Sequence, residues 1–212
     1  MLDLTSLRQD YLNAELSEKD VDANPLYQFA EWFKQAQNAQ VPEPNTMTLA
    51  TVDDNGQPSA RIVLIKEARN DGFVWFTNYN SRKGQELINH PKAALLFFWQ
   101  PLERQVRIEG VVSRVDATES DAYYHSRPTN SKLGAWSSPQ SQAIPSRELL
   151  ESELARYTAE FGENPPRPPH WGGYILKPTY FEFWQGRASR LHDRIAYRLN
   201  EHNEWQISRL AP

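Results

Sequence analysis

Apolar positions recur at helical spacing in two long stretches. Leu26, Phe29, Ala30, Phe33 and Ala36 follow Asn24-Pro25, a capping residue with proline at the first helical position. The pattern predicts an amphipathic helix over 25–39, ended by Val41-Pro42-Glu43-Pro44. Leu149, Leu150, Leu154 and Tyr157 make a second stripe and predict a helix over 147–161. Shorter helices are predicted over 81–89, capped by Ser81, and over 118–125, capped by Thr118, while 128–145 reads as irregular or short-helical. The rest is strand-like. Segments 46–52 and 59–66 flank Asp53-Asp54-Asn55-Gly56-Gln57-Pro58, a hairpin signal, and a strand at 73–77 follows the turn Asn70-Asp71-Gly72. Strands at 93–99 and 105–115 join at Gln100-Pro101, and their apolar length predicts burial on both faces. Further strands are predicted near 173–176, 181–185, 195–199 and 205–209.

About eight adjacent, hairpin-linked strands with helices inserted between them favour an antiparallel barrel over a parallel sheet. The expected class is mainly β with flanking helices (α+β). Residues 1–23, polar and acidic, read as a mobile arm or short helix before one domain spanning 24–212.

Composition narrows the chemistry. The 212 residues contain no cysteine, which excludes disulfides, thiol nucleophiles and zinc-thiolate sites. Nine glycines are scattered with no Gly-x-Gly, so there is no dinucleotide fingerprint and no P-loop. If the protein binds a phosphate, it does not use a glycine cradle. The net charge of −4 is split into −7 over residues 1–60 (three basic, ten acidic) and +3 over the remainder. That distribution argues against nucleic-acid binding but permits a local cationic site for a small anion. The start has no basic run before an apolar stretch, and no apolar run approaches about 18 residues, so no membrane partner and a cytoplasmic location are expected. The five histidines lack ligand spacing, so no metal site is expected.

Four cationic clusters remain. Arg61 and Lys66 bracket Ile62-Val63-Leu64-Ile65 and, on a strand, project to opposite faces; the ordinary alternative is that strand-end charges simply reach solvent. Arg82 and Lys83 sit in the first turn of a helix, where the dipole opposes cations unless an anion is bound. Tyr123, Arg127 and Ser131 offer hydroxyls beside a guanidinium, a set suited to phosphate and equally to a polar helix end. Arg190, His192 and Arg194 alternate and would share one face of an extended segment, repelling one another unless an anion or acid lies between them.

Taken with their neighbours, these clusters form a recognisable series. Phe181-Glu182-Phe183-Trp184-Gln185, four residues, then Arg190-Leu191-His192-Asp193-Arg194 resembles the signature of the pyridoxamine 5′-phosphate oxidase family. The resemblance runs in order through Arg61–Lys66, Ser81-Arg82-Lys83, Leu102–Arg107, His125–Pro128, Gly134-Ala135-Trp136, Gln140-Ser141, Trp171-Gly172-Gly173 and Arg209–Pro212. It implies a Greek-key split β-barrel that binds FMN and forms a homodimer with flavin at the interface. The implied reaction oxidises pyridoxamine or pyridoxine 5′-phosphate to pyridoxal 5′-phosphate, with O2 reduced to H2O2 and ammonia released from the amine. By the same resemblance Arg61, Ile62, Val63, Leu64, Ile65, Lys66, Phe76, Thr77, Arg82, Lys83, Gln105, Gln140, Ser141, Trp184 and Arg194 would meet FMN. Lys66, Tyr123, Arg127 and Ser131 would hold the substrate phosphate, Arg190 and His192 would act at the substrate ring, and Arg8 and Tyr11 would belong to a flap over the site. Two other readings stay open: another split-barrel flavin oxidoreductase, and a non-catalytic flavin or pyridoxal-phosphate binding protein.

Overall fold

The computed structural model describes residue 11 and residues 14–212, so the expected arm is seen only in part and Arg8 lies outside the described residues. Helix α1 (Pro25–Asn38) starts as expected, with the Asn24 side chain accepting from the N–H of Leu26. Strands β1 (Thr46–Val52) and β2 (Pro58–Leu64) form the anticipated hairpin, followed by a short β3 (Glu67–Arg69), β4 (Gly72–Asn78) and α2 (Arg82–Asn89). Strands β5 (Lys92–Trp99) and β6 (Arg104–Arg114) are joined by a 3-10 turn at Gln100–Leu102. Three helices come next: α3 (Ala117–Ser126), α4 (Thr129–Ser137) and α5 (Arg147–Phe161). The chain ends with β7 (Trp171–Gln185), β8 (Asp193–Leu199) and β9 (Trp205–Arg209). Among the described residues no helix is long and apolar enough to cross a membrane.

The nine strands of the described residues share one antiparallel sheet, ordered β2-β1-β5-β6-β7-β4-β3, with β8 and β9 added beside β7. The two ends of this path are consecutive stretches of chain. The N–H of Ile65 donates to Asn45 beside β1, and the N–H of Lys66, the very next residue, donates to Val74 in β4. One extended segment therefore bonds to both edges of the sheet and draws it into a barrel.

Several expectations are corrected. The two strands predicted near 173–176 and 181–185 are one strand, β7, which changes partner along its length: residues 171–176 pair with β4 and 180–185 with β8, while β6 runs along the other side. The change falls at Pro178-Thr179, where a proline lacks a ladder donor and the β6 register slips at Glu109/Gly110. The helix expected at 118 starts earlier; Asp116, extended and accepting from the N–H of Ser120, holds the cap position instead of Thr118. Strands β5 and β6 are not buried on both faces. Ala93, Leu95, Phe97 and Trp99 point inward, while Phe98 on the outer face is 52% exposed, because no helix among the described residues covers it.

Helix α1 closes the barrel core. Phe29 packs edge-on against Phe73 at 5.0 Å and Phe97 at 5.1 Å, and Trp32 meets Phe183 at 5.2 Å. These contacts join β4, β5 and β7 through one helix face. Truncation by Phe29→Ala is expected to lower stability by about 3–5 kcal/mol, read from urea unfolding, because the rigid strands around it cannot collapse into the void. A loss below about 1 kcal/mol would show that α1 is peripheral to the core.

Candidate active site

The barrel seam opens into a cleft of about 640 Å³. Ile62, Val63, Leu64 and Lys66 line it from the seam, Phe76, Thr77 and Asn78 from β4, and Lys83 from α2. Tyr123, Arg127, Ser131, Ser138, Gln140 and Trp171 line it from the helical insertion and the start of β7. Among the described residues three cations line this space and no Asp or Glu does.

Lys83 is the most telling of them. It is 9% exposed, and its Nζ donates to Gln140 Oε1 at 3.0 Å and to Thr77 Oγ1 and Ser81 Oγ, both at 3.3 Å. All three acceptors are neutral, and among the described residues no carboxylate reaches Lys83 within ion-pair distance. Burial, reinforced by the charge of Arg61, pulls its pKa down to about 8. Arg127 tells the same story from the opposite wall. Its guanidinium lies 4.6 Å over the Trp171 ring, its Nη1 is buried with no hydrogen-bond partner, and burial lowers its pKa. A buried donor without a partner costs about 1–3 kcal/mol, which an anion in the cleft would offset. Between the cations, Phe76 stacks on Tyr123 at 3.9 Å, with Trp171 parallel at 5.7 Å from Phe76. Gly173 makes this possible: a Cβ there would come within 2.8 Å of the Phe76 ring.

Four of the expected residues stand beside the cleft without lining it. Arg61 turns from Lys66 as strand parity requires and reaches Glu86 at 3.3 Å and the carbonyl of Leu49 at 3.1 Å. Arg82 also meets Glu86, at 2.8 Å across one helical turn. Ile65 is 5% exposed and packs in the core, and Ser141 is exposed with a left-handed backbone (φ 70°). Glu86 is thus the counter-charge of two arginines and also accepts from Thr51 and Ser59. Burial pushes its pKa up, but these bonds and the Arg61 charge outweigh it and hold the carboxyl at about 2.

The remaining expected residues form a second cluster on the outer face of the sheet. Gln105, Trp184 and Arg194 are successive cross-strand neighbours on β6, β7 and β8, with Phe98 of β5 next in the same row. His192 packs on Trp184 at 4.6 Å, and Tyr11 meets both rings, at 5.8 Å and 6.0 Å. The backbone N–H of Arg187 donates to His192 Nδ1, so the neutral ring carries its proton at Nε2. Burial, then the nearby charge of Arg190, lowers the His192 pKa and keeps it neutral at pH 7. Arg194 is held from behind by Glu182, which is 2% exposed and bonds it at 2.9 Å. The expectation of an extended Arg190–Arg194 face is corrected. Ala188–Arg190 is a 3-10 turn in which Ser189 (φ 56°) and Arg190 (φ 61°) are left-handed, so Arg190 is exposed and out of line with Arg194.

Asn78, Ser138 and Trp171 line the cleft without having been singled out for a role from sequence; Glu86 and Glu182, which anchor arginines outside the cleft lining, were not singled out either. The Glu86 partnership was signalled by its place four residues after Arg82. Glu182 stands opposite Arg107 in the β6 ladder and reaches Arg194 diagonally on β8, a partnership visible only through strand register.

Comparison with known proteins gives consistent results. The family model described as pyridoxamine 5′-phosphate oxidase matches residues 33–160, and one described as the pyridoxine 5′-phosphate oxidase C-terminal dimerisation region matches 171–212. Proteins named pyridoxine/pyridoxamine 5′-phosphate oxidase are 63% identical in Bordetella avium, over 211 residues, and 59% identical in Cupriavidus metallidurans, over 212 residues. In both cases the match covers 100% of this chain and of the relative. Among solved structures, PhzG from Burkholderia lata 383, in complex with tetrahydrophenazine-1-carboxylic acid, superposes with a TM-score of 0.88 at 30% identity, covering 95% of this chain and 99% of that one. A pyridoxamine 5′-phosphate oxidase-related, FMN-binding protein from Nostoc punctiforme shares the fold with a TM-score of 0.70 at 17% identity, covering 89% and 98%.

The Glu86 cluster makes a pH prediction. Its folded pKa lies below the ordinary 4.5, so its contribution is complete above about pH 4.5 and is lost as pH falls towards 2. The shift corresponds to roughly 3 kcal/mol. Urea unfolding at pH 5, 4 and 3 should show a steeper loss in the natural chain than in Glu86→Gln; equal slopes would mean that Glu86 carries no such linkage.

Proposed function

This chain belongs to the pyridoxamine 5′-phosphate oxidase family, and on that premise we propose that it is an FMN-dependent oxidase of vitamin B6 metabolism. In this reading it converts pyridoxamine or pyridoxine 5′-phosphate to pyridoxal 5′-phosphate, with O2 taking the electrons as H2O2 and ammonia leaving the amine substrate. The observation that carries the reading is the carboxylate-free cleft, in which buried Lys83 and the unpartnered Nη1 of Arg127 both lack a counter-anion. Two phosphorylated ligands, cofactor and substrate, answer that deficit.

Bound FMN supplies the two-electron redox chemistry; the work of the chain is placement. Lys83, with Thr77 and Gln140 around its Nζ, neutralises flavin phosphate, and the backbone and apolar side chains of Ile62–Leu64 form a wall for the ring system. Lys66, Tyr123, Arg127 and Ser131 grip the substrate phosphate, so binding energy remote from the reacting carbon orients it. His192 presents its Nε2–H and Arg190 its guanidinium to the polar edge of the substrate ring. Arg61 and Arg82, held by Glu86, contribute field to the phosphate region rather than a direct bond.

Cleft and outer-face cluster share no residue, so each site needs a second source of Gln105, Trp184, His192 and Arg194. A homodimer supplies it. The outer face between them carries the exposed apolar side chains of Ile62, Leu64 and Phe98, the surface such a dimer would cover. Flavin then lies at the interface, each subunit lending its outer-face cluster to the other's cleft.

Protein loaded with FMN and given pyridoxine or pyridoxamine 5′-phosphate should release H2O2 in step with aldehyde product. Absence of peroxide with both substrates would reject the oxidase reading. Lys83→Ala should weaken flavin binding in a fluorescence titration by about ten-fold or more, the scale of one charge-assisted contact. In the natural chain affinity should fall as pH rises through 8, where the free Lys83 loses its proton, and the variant should lack that dependence. Unchanged affinity in Lys83→Ala would remove the residue from the flavin site.

A further inference from the structure

The outer-face cluster is overlain by chain from the opposite end of the sequence, and the bonds that hold it converge on two residues not used above, Asp193 and Arg209. Asp193 Oδ2 accepts the backbone N–H of Leu16 at 3.1 Å, and Asp193 Oδ1 accepts from Arg209 Nη1 at 2.7 Å. Arg209 Nε and Nη2 donate to the two carboxylate oxygens of Glu18 at 2.9 and 2.8 Å, and Nη2 also reaches the carbonyl of Leu16 at 3.0 Å. Arg187 extends the series: its Nη1 donates to Ala14 O at 3.3 Å and pairs with Glu15 at 2.8 Å. Every described residue from 14 to 18 except Ser17 is therefore tied to the turn and strands that carry His192 and Arg194. Tyr11 rests where this segment leads, on Trp184 and His192, against Gly186, where a Cβ would come within 2.8 Å of the tyrosine side chain.

The ion pairs are partly exposed to solvent, so they add little to global stability. Their geometry is more informative than their strength. A guanidinium offering a two-bond fork to Glu18, a third bond to Asp193 and a fourth to a backbone carbonyl fixes direction as well as distance, which an ammonium cannot do. Asp193 lies between His192 and Arg194 in sequence, so the fork is anchored within one residue of both.

We propose that Arg209 is a positioning residue for the substrate-ring side of the site: by clamping Leu16 and Glu18 to Asp193, it sets where Tyr11 meets Trp184 and His192. The proposal rests on the reading of Trp184 and His192 as part of a substrate site. The clamp itself can be measured without turnover.

The test uses full-length, FMN-loaded protein and the variants Arg209→Ala and Arg209→Lys. Arg209→Ala should speed hydrogen exchange at the Leu16 amide by about ten-fold or more, since that N–H is bonded to the carboxylate Arg209 holds. The KM for pyridoxine 5′-phosphate should rise about five-fold or more, with kcat changed less than about two-fold and flavin affinity unaltered, as expected when binding geometry alone is lost. Arg209→Lys should be intermediate in both exchange and KM. If Arg209→Ala does not fold, Glu18→Gln, which weakens one arm of the fork, should move exchange and KM in the same directions. Unchanged Leu16 exchange overturns the clamp, and faster exchange with an unchanged KM overturns the positioning role. A natural chain without turnover would instead reject the oxidase reading, with Leu16 exchange still deciding the clamp.

Discussion

The two consecutive N–H groups of Ile65 and Lys66 are the hinge on which the architecture turns. One bonds to the β1 side and the next to β4, so a single extended segment serves both edges of the sheet. Strand parity does the rest: Ile65 enters the core and Lys66 stands in the cleft. The opening beside the seam is where Ile62, Val63 and Leu64 can face a ligand from one side and β4 from another. An edge that would otherwise invite association is used up by closure of the sheet at this segment.

The charges divide into two populations around this frame. Arg61, Arg82 and Arg194 are each neutralised by a buried carboxylate, Glu86 for the first two and Glu182 for the third. Among the described residues Lys83 and Arg127 have no such partner. The first group is oriented before any ligand arrives, and the second is left with unmet demand directed into the cleft. Preset charge beside unpaired charge is what electrostatic preorganisation requires: the field exists without reorganisation when an anion binds.

Local patterns carried most of the fold. The first hairpin, α1, α2 with its Ser81 cap, and α5 were readable because period, cap and turn chemistry agree at each. What the chain does not announce locally is pairing. Residues 171–185 read as two strands because Lys177-Pro178-Thr179 interrupts the pattern, and only the unbroken ladder with β6 makes them one. The site shows the same division. Lys66, Lys83 and Arg127 could be picked out as candidate anion partners from neighbouring residue types, and they meet in the cleft. The row of Gln105, Trp184 and Arg194 depends on the register of three strands: Gln105 and Trp184 rested on family resemblance alone, and Arg194 was picked out from its alternation with Arg190 and His192 but not as their cross-strand neighbour. Ser189 and Arg190 departed from an extended reading because a left-handed turn in non-glycine residues has no local signal.

Strand β7 has an arithmetic consequence. Its distal half sends Phe181 and Phe183 into the core and Trp184 outward, beside Gln105 and Arg194. Inside and outside are assigned by odd and even position, and the slip at Pro178-Thr179 resets that count once, between the half that lines the cleft and the half that carries the outer-face row. Removing or adding one residue beyond that point would exchange Phe183 for Trp184, emptying the core and dismantling the site together. The length of this stretch cannot drift, because the barrel interior and the outer-face row are written on alternate letters of the same strand.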